Sequence, residues 1–185
     1  QELVQEPRGP AAPCVLVIFG GSGDLARRKL IPALYNLAAD GLLPESFAIV
    51  GVGSSDLGDE GYRERVAEML PANIAGEYDD QRWRWFAERL HYCQADFEDN
   101  DAYARLRERL AEVAATFGTG ERYLFYLATP PGFFRTIIEH LGQSGLARQD
   151  TGWRRVIIEK PFGHDQDSAR ALNRDIQAVL DEAQI

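Results

Sequence analysis

The chain is short of the residues that staple, chelate or anchor a protein. Of 185 residues, two are cysteine, three histidine and one methionine. Cys14 and Cys93 form no CxxC pair and stand near no histidine at ligand spacing. That argues against a disulfide framework and a structural zinc, and it fits a reducing compartment. Both cysteines read as small buried hydrophobes. No run of about 18 apolar residues is present to span a bilayer. The opening QELVQEPRGPAAP has no apolar centre of the kind a secretory leader needs, so the expected location is the cytoplasm. Positive charge is scarce as well: 20 Lys and Arg against 29 Asp and Glu leave a net charge of -9. A broad electropositive face for nucleic acid or anionic lipid is therefore not expected, and any anion must be bound locally.

What is present suits a folded domain. With 45% hydrophobic and 26% charged residues, the composition is that of an ordinary globular protein and rules out a disordered or collagen-like chain. Residues 1–13 hold three prolines and a glycine with few large apolar side chains, and read as a flexible tail. Residues 14–185 read as one domain.

Short β-rich apolar runs alternate with helical patterns along that domain. Val15 to Phe19, Phe47 to Val52, Leu90 to Ala95, Arg122 to Ala128 and Val156 to Ile158 with its flanks are the expected strands. Helices are expected over Asp24 to Asp40 with a kink at Pro32, Gly61 to Leu70, Asp80 to Leu90, Asp99 to Thr116, Phe133 to Gln143 and Asp167 to Ala183. The first, fourth and fifth strands are almost wholly apolar, as in strands covered on both faces. The pattern predicts an α/β fold: a Rossmann-like, doubly wound, mostly parallel sheet with helices on both faces. Ligands of such sheets bind beyond the carboxyl ends of the strands.

At the end of the first strand stands FGGSGDLARRKL, Phe19 to Leu30. Gly21, Ser22, Gly23, Asp24, Leu25 and Ala26 satisfy GxGxxA, and Gly20 offers a second register. Glycines let the backbone turn tightly and bring its N–H groups to a pyrophosphate at a helix start. The motif follows a strand and opens a helix, which is the context its mechanism requires. It is no P-loop, because no GK[ST] follows. Asp24 would be repelled by a pyrophosphate and is expected to face away or to cap backbone N–H groups. Arg27, Arg28 and Lys29 place three cations beside the turn. At the end of the fifth strand, RRVIIEKPFG sends Lys160 towards the same crevice, where its ammonium can hold a phosphate, a sugar hydroxyl or a carboxamide. Thr129, Pro130 and Pro131 close the fourth strand as a stiff wall for a flat ring.

GGSGDLARRKL, FYLATPP and IIEKPFG, in this order and at these separations, resemble the amino-terminal coenzyme-binding domain of the glucose-6-phosphate dehydrogenase family. The similarity runs from about Cys14 to the end of the chain. The resemblance implies hydride transfer from C1 of glucose 6-phosphate to NADP, giving 6-phosphogluconolactone in the pentose phosphate pathway. It implies that Gly20, Gly21, Ser22, Gly23, Asp24 and Leu25 cradle the coenzyme pyrophosphate, with Ala95 and Asp96 near the adenosine and Tyr126 and Pro130 at the nicotinamide end. By the same resemblance Lys29 places the sugar phosphate, and Lys160 touches both substrate and nicotinamide.

Two departures stand out. Where relatives commonly end the second strand in an arginine that grips the 2′-phosphate of NADP, this chain has Ser54, which leaves NAD open as coenzyme. The family's general base is a histidine in an HYLGKE-like segment expected beyond Ile185, and His91, His140 and His164 match no part of it. The expectation is therefore a coenzyme-binding piece without catalytic residues, metal or substrate domain, inactive alone, from a parent enzyme that forms homo-oligomers. Two rival readings are a glucose-fructose oxidoreductase-like sugar dehydrogenase and a non-catalytic NADP(H) sensor. GDLARRKL and FYLATPP speak against the first, and Lys29 with Lys160 against the second.

Overall fold

The computed structural model describes residues 12–149 and 152–158. The tail over residues 1–11, the expected last helix and Glu159, Lys160, Pro161 and His164 lie outside the described residues.

Among the described residues, five strands form one parallel sheet: β1 (Cys14–Phe19), β2 (Phe47–Gly53), β3 (Leu90–Gln94), β4 (Tyr123–Leu127) and β5 (Arg154–Ile158), in the order β3-β2-β1-β4-β5. The chain winds outward from β1 through β2 to β3, then returns to β4 and continues outward to β5. The winding direction reverses between β1 and β4, which makes the carboxyl ends of those two strands the place for a ligand. Helices α1 (Ile31–Ala39), α2 (Gly58–Asn73) and α3 (Asp80–Glu88) cover one face, and α4 (Asn100–Phe117) and α5 (Phe134–Gln143) the other.

Strand alternation divides the core in two. Cys14, Leu16 and Ile18 pack with Leu30, Leu34, Tyr62 and Phe86, while Val15, Val17 and Phe19 pack with Tyr103, Leu106, Leu110 and Ile137. All residues of β1, β2 and β4 are buried, whereas four of the five in β5 are half-buried or exposed. The expected full burial of the fifth strand is not seen: among the described strands β5 is the outermost on its side, and it begins with Arg154 and Arg155. Cys14 is buried, and burial pushes its thiol up to about 12. Cys93 departs from the reading as a buried hydrophobe: it is half-buried and lines a surface groove.

The helix expected over Asp24 to Asp40 is present but not uniformly wound. Its Ala26–Leu30 stretch is a π-helical segment, and the Ile31 N–H donates to the Ala26 carbonyl five residues back. Pro32 then falls in the first turn of α1, where a missing N–H costs little, so the helix continues through it. Helix α2 starts three residues earlier than the apolar pattern suggested. Gly58, at φ +63°, turns the chain into it, and Asp59 and Glu60 sit favourably at the positive end of its dipole. Helix α4 is bounded by an Asp99 side chain accepting from the Asp101 N–H at 3.0 Å and by left-handed Gly118.

Asp59 ties α2 to β3 and α4. One carboxylate oxygen accepts the Tyr92 N–H at 2.8 Å; the other takes the Arg109 guanidinium at 2.5 Å and stands 3.7 Å from His91 Nδ1. Burial, with help from Arg109 and Arg63, lowers the His91 pKa against the pull of Asp59. A neutral His91 is thus part of the folded state, and protonation favours unfolding. Stability is retained above the ordinary histidine value of about 6.5 and falls as pH drops through the lower folded value. Replacing His91 by Gln is expected to flatten the fall in melting temperature between pH 7 and 5, measured by thermal denaturation of both chains.

Candidate functional site

The β1–α1 turn is built so tightly that only glycine fits parts of it. Gly20 adopts φ +81°, and a Cβ there would lie 2.7 Å from the Ala128 carbonyl oxygen. The Gly20 and Gly21 N–H groups both donate to the Val52 carbonyl, at 2.8 and 3.2 Å, which clamps the turn onto the end of β2. The Gly23 N–H closes the turn on the Gly20 carbonyl at 2.9 Å, and the Arg27 N–H returns to the Gly23 carbonyl at 3.1 Å. That bond marks the first complete helical turn. The N–H groups of Asp24, Leu25 and Ala26 belong to the turn before it and have no carbonyl four residues back within the helix. These donors and the positive end of the helix dipole make a cradle for an anion. The residues therefore fit a dinucleotide pyrophosphate.

Of the two alternatives expected for Asp24, facing away or capping, the structure shows no cap. The Asp24 side chain is 74% exposed; it takes Arg27 at 3.2 Å and stands 3.9 Å from Arg28. The basic run is thus partly answered by its own neighbour. Among the described residues no ion pair involves Lys29.

The turn is backed by residues far away in sequence. A Cβ on Gly21 would lie 2.6 Å from Gly51 Cα, and one on Gly51 would lie 2.7 Å from the Tyr62 ring. The Tyr62 hydroxyl donates to the Gly21 carbonyl at 2.9 Å. Tyr92 stands beside it, ring centroids 5.2 Å apart, and donates to the Ser55 carbonyl at 2.7 Å. Neither tyrosine carried a sequence signal of its own. Gly51, a lone glycine inside an apolar strand, was the available sign that something approaches closely there.

Ser54 follows β2 directly, is exposed, and accepts the Gln94 side-chain amide at its carbonyl at 3.2 Å. It opens onto a groove of about 1060 Å³ that continues past Ala95 and Asp96. Among the described residues, five carboxylates line this groove, from Asp59, Asp96, Asp99, Glu108 and Glu112, against two guanidinium groups, from Arg105 and Arg109. Both arginines are already engaged, Arg105 with Asp99 at 3.8 Å and Arg109 with Asp59 and Glu112. Ala95 is buried and donates its N–H to the Gly53 carbonyl at 2.8 Å; Asp96 is exposed and accepts the Glu98 N–H at 2.9 Å.

The structure brings Gly20 to Leu25, Ser54, Ala95 and Asp96 to one end of the sheet, with Pro130 exposed at the end of β4. Tyr126 does not reach that surface. It pairs with Ile18 across the sheet, and its side chain is 1% exposed, within the core under α1 to α3. Lys160 lies outside the described residues. Among the described residues no group of three or more His, Cys, Asp and Glu is placed to hold a metal ion, and no helix is long and apolar enough to cross a membrane.

Residues 17–185 match the family described as glucose-6-phosphate dehydrogenase, NAD binding domain. The chain is 44% identical over 173 residues to glucose-6-phosphate 1-dehydrogenase 2 of Mycobacterium bovis, covering 93% of this chain and 34% of that protein. It is 42% identical over 174 residues to glucose-6-phosphate 1-dehydrogenase of Chlamydia pneumoniae, covering 92% and 34%. A solved glucose-6-phosphate dehydrogenase in complex with its substrate glucose-6-phosphate superposes with TM-score 0.72 at 32% identity, over 97% of this chain and 37% of that one. The enzyme from Mycobacterium avium gives 0.68 at 36% identity, over 95% and 36%. The chain spans about a third of the length of the curated relatives it matches.

Proposed function

The chain belongs to the glucose-6-phosphate dehydrogenase family, matching its NAD-binding domain, and from this premise we propose that it holds the nicotinamide coenzyme during oxidation of glucose 6-phosphate at C1. The carrying observation is the glycine turn, pressed against β2 and β4 where the sheet reverses its winding. Its first-turn N–H groups would bind the pyrophosphate, and the end of β2 would receive the adenosine ribose. The bound nicotinamide supplies the hydride acceptor. Lys29, one turn beyond the cradle, is proposed to attract the sugar phosphate. Lys160 is proposed from its motif to reach substrate and nicotinamide. The glucose-fructose oxidoreductase-like reading is set aside, because relatives above 40% identity over nearly the whole chain are named glucose-6-phosphate dehydrogenases.

NADP is the coenzyme implied by family resemblance. The charge at the end of β2 supports NAD at least as well. A 2′-phosphate there would meet the uncharged Ser54 and a groove with five carboxylates against two paired arginines. The expected result of calorimetric titration is that the chain binds NAD no more weakly than NADP. NADP bound more than about tenfold tighter would overturn the preference. Failure of both coenzymes to bind at millimolar concentration would overturn the whole reading.

A further inference from the structure

We infer that Tyr62 is a positioning residue for the coenzyme: its hydroxyl, held behind the glycine turn, aims the Ser22 N–H of that turn at the coenzyme pyrophosphate, beside the first-turn donors. This rests on the coenzyme reading above. Three observations carry it. The Tyr62 side chain is fully buried and donates to the Gly21 carbonyl at 2.9 Å from 41 residues away. Its ring occupies the space that a Gly51 side chain would need, so ring, strand and turn meet with no slack. The tyrosine itself is fixed, since its helix is tied to β3 by Arg63 Nε donating to the Leu90 carbonyl at 3.0 Å and by Asp59 accepting the Tyr92 N–H at 2.8 Å.

A peptide plane whose carbonyl is held inward turns its N–H edge outward. The Gly21 carbonyl belongs to the same peptide unit as the Ser22 N–H, so fixing one aims the other away from Tyr62. Burial pushes the Tyr62 pKa upward, which keeps the hydroxyl a donor at any working pH. The role is confined to the pyrophosphate. Nothing in it bears on adenosine, which the proposed pose seats over Ser54 and Ala95.

The test is Tyr62→Phe in the same 185-residue chain, titrated with NAD, ADP-ribose and adenosine, with thermal melting recorded alongside. The ring is retained, so only the hydroxyl is lost. NAD and ADP-ribose are expected to weaken together by about two- to tenfold, the range of one hydrogen bond, while adenosine affinity stays unchanged. A general loosening of the fold would weaken all three ligands alike, and that outcome overturns the positioning role. So does an unchanged NAD affinity in the variant. If the unaltered chain binds none of the three, the coenzyme reading falls and the positioning role with it. A chain that binds NAD equally with and without the hydroxyl loses only the positioning role.

Discussion

Replacing Ser54 by Arg is expected to raise NADP affinity about 10- to 100-fold while leaving NAD nearly unchanged. The estimate follows from one charge-assisted hydrogen bond to a phosphate, about 1.5 to 3 kcal/mol, at a position that now supplies a hydroxyl. Position 54 is exposed at the end of β2, so the longer side chain displaces nothing buried. The Gln94 amide bonds the backbone carbonyl of Ser54 and survives the change. The gain is expected to shrink with added salt, because the new contact is exposed and screened over about 8 to 10 Å at physiological ionic strength. Burial raises the Tyr92 pKa near this strand end, and Arg65 of α2 is among the groups that oppose the rise. A ratio of NADP to NAD affinity that moves less than about threefold in Ser54→Arg would mean that another cation already serves the phosphate, and Arg65→Ala would then identify it.

Replacing Gly20 by Ala is expected to abolish measurable coenzyme binding and to lower the melting temperature by on the order of 10 °C. Two costs combine. At φ +81° an alanine is strained by about 1 to 2 kcal/mol. Its Cβ would also press to 2.7 Å from the Ala128 carbonyl oxygen and 3.2 Å from Thr129 Cγ2. Ala128 cannot retreat easily, since its own N–H donates to the Phe19 carbonyl at 2.9 Å. Overpacking against such a neighbour adds about 1 to 3 kcal/mol. The turn must move off β4, and its N–H groups lose their aim. Gly41→Ala is the control. Gly41 has φ +69° but nothing within 4 Å of a built Cβ. Its expected loss is about 1 to 2 kcal/mol of stability, from the positive φ alone, with coenzyme affinity intact. Equal loss of affinity in the two variants, followed by calorimetry and melting, would show that positive φ alone matters and that the contact with β4 does not.

Much of the fold was legible because its causes are local. Apolar runs such as CVLVIF and FAIVGV, broken by glycines and followed by helical spacing, specify strand, turn and helix through each residue's own burial and backbone preference. The glycine turn was legible for the same reason, since the residues that form it lie within a dozen positions. Edges were less so. The start of α2 depends on a glycine and two acids that carry no apolar pattern, and the half-exposed state of β5 depends on its place in the sheet rather than on its own composition.

Sequence alone determined that a glycine turn joins the first strand to a helix, which family motifs accompany it, and that the position after β2 carries no cation. The tertiary structure decided what surrounds them. It buried Tyr126, set Tyr62 and Gly51 behind Gly21, and ringed the groove beside Ser54 with carboxylates from α2, α4 and the loops after β3. These depend on which distant residues the crossovers bring together, and no spacing along the chain encodes a contact made 41 residues away between one side chain and one carbonyl.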